Sequence, residues 1–514
     1  MRLFLLLFAL ICSADAAVIK GIVLDNMTGR PLARTTVVLQ IVGRDSITTS
    51  STSTGSNGQF EFDKLAAGWC LLSADRMGFA TAHHGQKLWN SPGVPLHIDE
   101  DSSTFLTLRM RRLGAITGTV FDENDVGLPQ VDVLAFRDTR PPSFVARARS
   151  DDRGVYRIGM LEPGRYLIRT GPKRFSEDFN LVPTFHRETL RLDEALPVDV
   201  RMEEYAGEVN VKPEPGKLVS LDVECAHPWF SPVPVLLVSE TGRIRGTTNS
   251  AGRVSFHGLA PGQYEIFAGN QGIEAVGARA YWQYGEPQSA YTTLSLVRDR
   301  EDLRVGLRPT PTMRFYIRDS GGTRIRPDAV SVWLRRKDLA GPGEPQRRTG
   351  ADARIPPGRW EVRIETPPDM YPVSAASSSL RTGPPGIVAA ADSWTEMVVW
   401  DSSAPILEVV VSRNPATIYG KVTAAVGEPA VGAPVYVERW DEREGKRLGE
   451  IRRALTGAQG MFRFRGLAPG AYRLVSSFDF DAPGEDLMPN VQPKLVRAAE
   501  GGTVEANLDL FVMQ

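Results

Sequence analysis

Cysteine is almost missing from this chain: three occur in 514 residues. Cys12 lies in the N-terminal segment, and Cys70 and Cys225 fall in different repeats. A secreted protein built on disulfides would carry pairs within each unit, so packed cores must supply the stability. An excess of one charge is also missing, with 60 basic against 61 acidic residues and a formal charge of −1. That balance leaves no electrostatic footprint for nucleic acid or an anionic membrane surface. Beyond the first residues no apolar run approaches the ~20 needed to span a bilayer. Helical periodicity is nearly absent, and no G-x-S-x-G or phosphate-binding glycine loop occurs.

What the chain does have is glycine, proline and repetition. It holds 48 glycines and 37 prolines. Five segments share a turn-and-strand signature: Gly58–Leu71, Gly154–Ile168, Gly252–Ile266, Ala351–Val362 and Gly460–Leu474. Aligned on the glycine before the aromatic, they place Gly68, Gly164, Gly262, Gly358 and Gly470 at intervals of 96, 98, 96 and 112 residues. A period of about 100 is too long for a solenoid unit and fits a small domain.

The N-terminus, MRLFLLLFALICSADA, has a basic start at Arg2, a short apolar core and a small-x-small site ending at Ala16. It reads as a secretory signal peptide cut after residue 16. The mature chain is then expected in the periplasm, at the cell surface or outside the cell. The repeats divide it into modules at 17–112, 113–212, 213–310, 311–412 and 413–514.

The last copy displays the plan of one module. Thr417–Val422 alternates as an opening strand, Gly427-Glu428-Pro429 turns, and Ala433–Val437 resumes as strand. Met461-Phe462-Arg463-Phe464 alternates in and out, Pro469-Gly470 turns the chain, Ala471–Leu474 leaves, and Thr503–Val512 closes the unit. Short strands at regular spacing with glycine and proline turns predict an all-β fold of five tandem sandwiches in an elongated array. In the third copy the G-x-V opening is lost, and in the fourth Ala353 and Ile355 replace the F-x-F pair. There Gly341–Arg348 reads as an exposed loop, and Arg335-Arg336-Lys337 and Arg347-Arg348 read as solvated faces.

The combination G-x-V-x-D…G-x-P…G-x-F/Y…L-x-P-G-x-Y resembles the carboxypeptidase regulatory-like domain. Gly118, Val120, Asp122, Gly127, Pro129, Gly154, Tyr156, Leu161, Pro163, Gly164 and Tyr166 carry it in the second copy. Gly420, Val422, Gly427, Pro429, Gly460, Phe462, Leu467, Pro469, Gly470 and Tyr472 carry it in the fifth. The resemblance is strong in the first, second and fifth copies, moderate in the third and weak in the fourth. It implies a prealbumin-like Greek-key sandwich of seven or eight strands, usually accessory to other proteins, and a relation to carbohydrate-binding folds.

Four places in the sequence are candidates for chemistry. His97-Ile98-Asp99-Glu100 matches H-x-x-E, with His83-His84 in the same module, but a zinc site needs a third ligand and a catalytic domain around it. Phe121–Gly127 has the look of an acidic calcium loop but breaks the pattern at Val126. An isopeptide cross-link, as in the related pilin modules, would join Lys421 to Asn507 (Lys20 opens the first module similarly). The acid it requires is replaced by Ser73, Thr170, Ala268 and Ser476. The remaining candidate is sugar binding by exposed aromatics: Tyr281, Trp282, Tyr284 and Tyr291, with Trp89 and Trp229-Phe230 as lesser sites. The competing reading of these rings is packing between modules or over a sheet edge.

No catalytic residue and no cofactor is therefore expected. The sequence points to a non-catalytic, monomeric scaffold or binding array for a glycan or protein. Its alternatives are an accessory subunit of a secreted hydrolase or peptidase, an adhesin-like protein-binding stalk, or a module beside an outer-membrane barrel, whose strand pattern is absent.

Overall fold

A computed structural model describes residues 17–42, 47–175, 180–225, 232–275, 287–377, 393–400, 405–424, 427–480 and 491–512. They form an all-β protein in which five large apolar clusters each lie between a pair of sheets. Each pair repeats one plan. The opening strand is central in its sheet, antiparallel to the signature strand and parallel to the closing strand. In the first unit Ala17–Asp25 lies between Gln59–Leu65 and Ser103–Met110. In the fifth, Ala416–Thr423 lies between Met461–Leu467 and the pieces Thr503–Glu505 and Leu508–Asp509. The facing sheet is an antiparallel row, in the fifth unit Lys446–Leu455, Pro434–Asp441, Gly470–Ser476 and Lys494–Ala498. Alternation puts Phe462 and Phe464 in the core and leaves Arg463 and Arg465 exposed.

The aromatic of the signature has a polar task as well as a core one. Tyr166, Tyr264 and Tyr472 each donate their hydroxyl to the carbonyl four residues back, those of Glu162, Ala260 and Ala468, at 2.6–2.8 Å. Trp360 does the same with its Nε1–H, to Pro356 at 2.9 Å. Each bond straps the turn before the strand, which explains why the degenerate fourth copy keeps an aromatic with a donor. In the first copy Cys70 occupies this place. Burial pushes its thiol up to about 12, so it is held as an unreactive core residue.

Asn507 has a defined job, and so does its counterpart Asn210. The parallel ladder between opening and closing strands breaks at these positions, and the side-chain carbonyl replaces the missing backbone acceptor. Asn507 Oδ1 accepts from the Lys421 backbone N–H at 2.9 Å, and Asn210 Oδ1 from the Thr119 N–H at 2.9 Å. Asn507 Nδ2 donates to Glu505 at 2.9 Å. Its carboxamide is thus engaged in ladder repair. Asn507→Ala should lower the stability of this unit by about 1 kcal/mol, read from the urea midpoint, while Asn507→Asp keeps the acceptor and most of that stability.

Several contacts lie between units. Glu274–Ala275, which follows the third signature, pairs with Asp352–Arg354 and joins the sheet of the fourth. Ile273 packs into the same fourth core. Glu500 of the fifth unit accepts from Tyr371 and Ser412 at 3.0 and 2.8 Å. The chain also folds back. Lys87 pairs with the buried Asp479 at 3.3 Å, and Pro95 packs against Gly432, so the first and last units touch. Pro141 similarly approaches Gly341. The tandem units are therefore joined also by contacts between units distant in sequence.

Two features of the fourth unit differ from the sequence reading. Gly341–Pro342 and Gln346–Arg348 are edge-strand pieces paired with Ser331–Asp338, not a loop. Arg336 is largely withdrawn from solvent, over the rings of Phe267 at 4.3 Å and Trp360 at 5.4 Å, and donates to the Gln271 carbonyl. Burial lowers its pKa to about 10. Arg348 likewise donates to the Ile273 carbonyl. These arginines bind the third and fourth units together. A run of basic residues looks solvated in sequence because its partners lie 65 and 75 positions away.

Candidate functional site

The outer face of each facing sheet is where the copies diverge. In the second unit Phe136 and Leu167 on that face are covered by Phe185. In the fifth, Tyr436 and Val475 are covered by Phe480 and Val491. In the third, Leu236, Val238 and Phe267, with Tyr291 beside Phe267 on the same sheet, are covered by Leu339 and Ala340 of the fourth unit. All three are apolar faces closed by a lid of the chain's own residues.

The first unit has a different face. Gln40, Leu71 and Ser73 stand there, and they form part of an open cleft of about 810 Å³. One wall is the segment carrying Trp89 and Asn90, and the other is Arg453–Leu455 of the fifth unit, with Glu162 of the second at the margin. A volume of this size is in the range of small-ligand sites.

The Trp89 segment is held by a compact set of local bonds. The Ser91 hydroxyl accepts from the Lys87 and Leu88 N–H groups at 3.2 and 3.0 Å and donates to the Leu88 carbonyl at 2.9 Å. His84 N–H donates to the Leu72 carbonyl at 2.9 Å, and Val94 N–H to the His84 carbonyl at 2.7 Å. Burial lowers the His84 pKa, so its imidazole is neutral at physiological pH. The Lys87–Asp479 pair and the Pro95–Gly432 contact then tie the segment to the fifth unit. Trp89 is half-buried and Asn90 exposed, so a ring and a carboxamide project beside Thr81, His83 and Arg453. An apolar ring flanked by polar groups on a rigid support is suited to a ligand with both hydroxyls and C–H faces.

The sequence candidates are placed as follows. Tyr281, Trp282 and Tyr284 lie outside the described residues. Tyr291 is half-buried at the junction of the third and fourth units, stacked on Phe267 at 5.0 Å with its hydroxyl donated to Glu265 at 2.9 Å. That is the packing alternative, not an open stacking platform. His97 Nδ1 meets Asp99 at 2.9 Å and its ring packs edge-on against Trp69. Among the described residues no three His, Cys, Asp or Glu side chains gather as a metal-ion site. Asp122 accepts from the N–H groups of Asn124 and Val126 at 2.9 and 2.8 Å, so its carboxylate caps its own turn. Trp229-Phe230 lies outside the described residues.

Sequence reasoning missed a polar outer face in the fourth unit, where Trp333, Arg335, Glu361 and Arg363 alternate on adjoining strands. The period-2 alternation of large polar and aromatic residues in both strands is the signal that could have found it.

Residues 18–109 match the family model of the carboxypeptidase regulatory-like domain. Similar solved structures include the minor pilin GBS52 of Streptococcus agalactiae, at 12% identity over 39% of this chain and 97% of that one, TM-score 0.24. They also include the shaft pilin SpaA of Lactobacillus rhamnosus GG, at 11% identity over 39% and 97%, TM-score 0.24. The major pilin subunit BcpA of Bacillus cereus is similar at 10% identity over 77% and 99%, TM-score 0.15. No curated protein matches the chain. The chain is an all-β protein of tandem sandwiches that carries, over residues 18–109, a carboxypeptidase regulatory-like domain.

Proposed function

We propose that this chain is an exported, non-catalytic scaffold that binds a glycan in the cleft beside Trp89. The reading rests on one observation above all: the outer face of the first unit, of mixed polarity, borders an open cleft where three others are sealed by apolar lids. The division at 17–112, 113–212, 213–310, 311–412 and 413–514 belongs to the same proposal, supported by one core cluster per span, Ile273 excepted. No helix among the described residues is long and apolar enough to cross a membrane. The aromatic run Tyr281, Trp282, Tyr284 is retained as a second glycan-binding candidate, with Tyr291 at its packed end.

The test is a polysaccharide and glycan binding screen on the purified mature chain, with Trp89→Ala and Trp282→Ala as separate variants. Loss of an aromatic anchor should cost roughly 2 kcal/mol, or about thirtyfold in affinity. Binding that weakens only with Trp89→Ala supports the cleft, and binding that weakens only with Trp282→Ala moves the site to the third unit. No glycan bound, or binding untouched by either change, sinks the reading.

A further inference from the structure

The outer face of the fourth unit is polar, and like that of the first unit it borders an open cleft. This one is about 700 Å³ and lies between the fourth and fifth units. Its fourth-unit wall carries Arg363 and Glu365, and its fifth-unit wall carries Glu450, Arg452, Arg463 and Arg465. The walls meet where Gly466, at φ +66°, approaches the Pro368 Cα and Met370 carbonyl. Four guanidinium groups thus face two carboxylates in a protein whose formal charge is −1.

Both carboxylates are already engaged. Glu450 accepts from Arg363 and from the Trp394 Nε1–H, the latter at 3.0 Å. Glu365 accepts from the Trp333 Nε1–H at 2.5 Å. The Arg363 guanidinium lies by both indole rings, 5.8 Å from Trp333 and 5.0 Å from Trp394, so its direction is fixed by stacking as well as charge. Arg452 is held by the Arg465 carbonyl at 2.7 Å. Arg463 and Arg465 are exposed on one strand face, two residues apart, and neither has an acidic partner among the described residues. Their backbone is fixed by pairing with the opening strand, where Tyr419 is opposite Arg463. The local charge surplus is therefore carried by two guanidinium forks on a rigid strand.

We infer that this cleft binds a polyanionic glycan through its sugar carboxylates. A guanidinium fork matches the planar carboxylate with two parallel hydrogen bonds, and two forks on one strand suit successive acidic units of a polymer. The site is separate from the Trp89 cleft, and the inference does not depend on the reading proposed for it.

Polygalacturonate, a neutral polysaccharide and dextran sulfate would be titrated against the full mature chain at low and physiological ionic strength. Polygalacturonate should bind, the neutral polymer should not bind here, and added salt should weaken the complex. Arg463→Glu with Arg465→Glu, both on an exposed face, should reduce affinity about tenfold or more. Trp89→Ala should leave it unchanged. Equal binding of polygalacturonate and dextran sulfate, both lost in the double variant, supports the arginine site with anionic groups in general as its determinant. Binding of dextran sulfate alone overturns the assignment to carboxylates. Absence of polygalacturonate binding, or binding indifferent to the charge reversal in a variant whose thermal unfolding matches the parent, overturns the site.

Discussion

Gly118→Ala is expected to unfold the second unit, or to lower its stability by about 3 kcal/mol or more. A Cβ built on Gly118 would lie 2.1 Å from the Val209 carbonyl oxygen and 2.5 Å from its carbon. Neither atom is free to withdraw. Val209 N–H donates to the Thr117 carbonyl at 3.1 Å, and Val209 O accepts the hydroxyl of the buried Tyr156. Gly118 is itself opposite Tyr156 in the antiparallel ladder, so the opening strand is gripped from both sides. The same crowding recurs at Gly21 against the Leu106 carbonyl and at Gly420 against that of Ala506, at 2.4 and 2.2 Å. In a unit of this size such a change puts about a third or more of the stability at stake. Gly207→Ala is the control, because its nearest neighbour would be the Thr117 hydroxyl at 3.9 Å. Hydrogen exchange across residues 113–212 should show lost protection for the first variant and native protection for the second. Equal protection in both would remove this account of the G-x-V glycine.

That account shows why so much of the architecture could be read from the chain. The glycines and the donor-bearing aromatic respond to constraints imposed within one unit, by a carbonyl or a turn a few positions or one strand away. Such constraints repeat with the copies, and repetition makes them visible. The third and fourth units also show why the motif fades. In the fourth, the inward positions of Thr312–Asp319 are held by Met313, Phe315 and Ile317, whose side chains fill the core where the other copies place a glycine. What sequence could not show is set by contacts made once. Arg336 reads as solvated until Phe267 and Trp360 are placed beside it, and Tyr291 reads as a platform until Glu265 takes its hydroxyl. Both clefts lie between units, and no local period encodes them. The polar outer face of the fourth unit is legible in its alternation, but the meaning of that face and of the first unit's depends on the fifth unit standing beside each.

Glu265 offers the sharpest test of how firmly the third and fourth units are joined. Its carboxylate is 2% exposed and accepts three bonds: from the Tyr291 hydroxyl at 2.9 Å, the Leu339 N–H at 2.7 Å and Arg359 at 3.4 Å. Nearby, Arg243 pairs with the buried Asp338 at 2.7 Å. Glu265→Ala would leave the Leu339 N–H and the Tyr291 hydroxyl without an acceptor and strip a counter-charge from Arg359. Removing one member of a buried charged set costs roughly 3–5 kcal/mol, most of it the penalty on the groups left behind. Glu265→Gln keeps the shape and one acceptor, so its loss should be smaller. The tyrosine adds a pH signature. Burial, reinforced by the Glu265 charge, raises the Tyr291 pKa from its ordinary 10 to about 12. A group raised in the folded state gives stability that is complete below its unfolded value and declines as pH climbs through the folded one. The junction should therefore weaken between about pH 10 and 12, and Glu265→Ala should flatten that dependence by lowering the shift. Calorimetry of the mature chain should resolve the third and fourth units as one transition in the parent and as separated transitions in Glu265→Ala. Coincident transitions at the parental temperature in Glu265→Ala would mean that the apolar cluster of Leu236, Val238, Phe267 and Leu339 holds the junction without the buried acid.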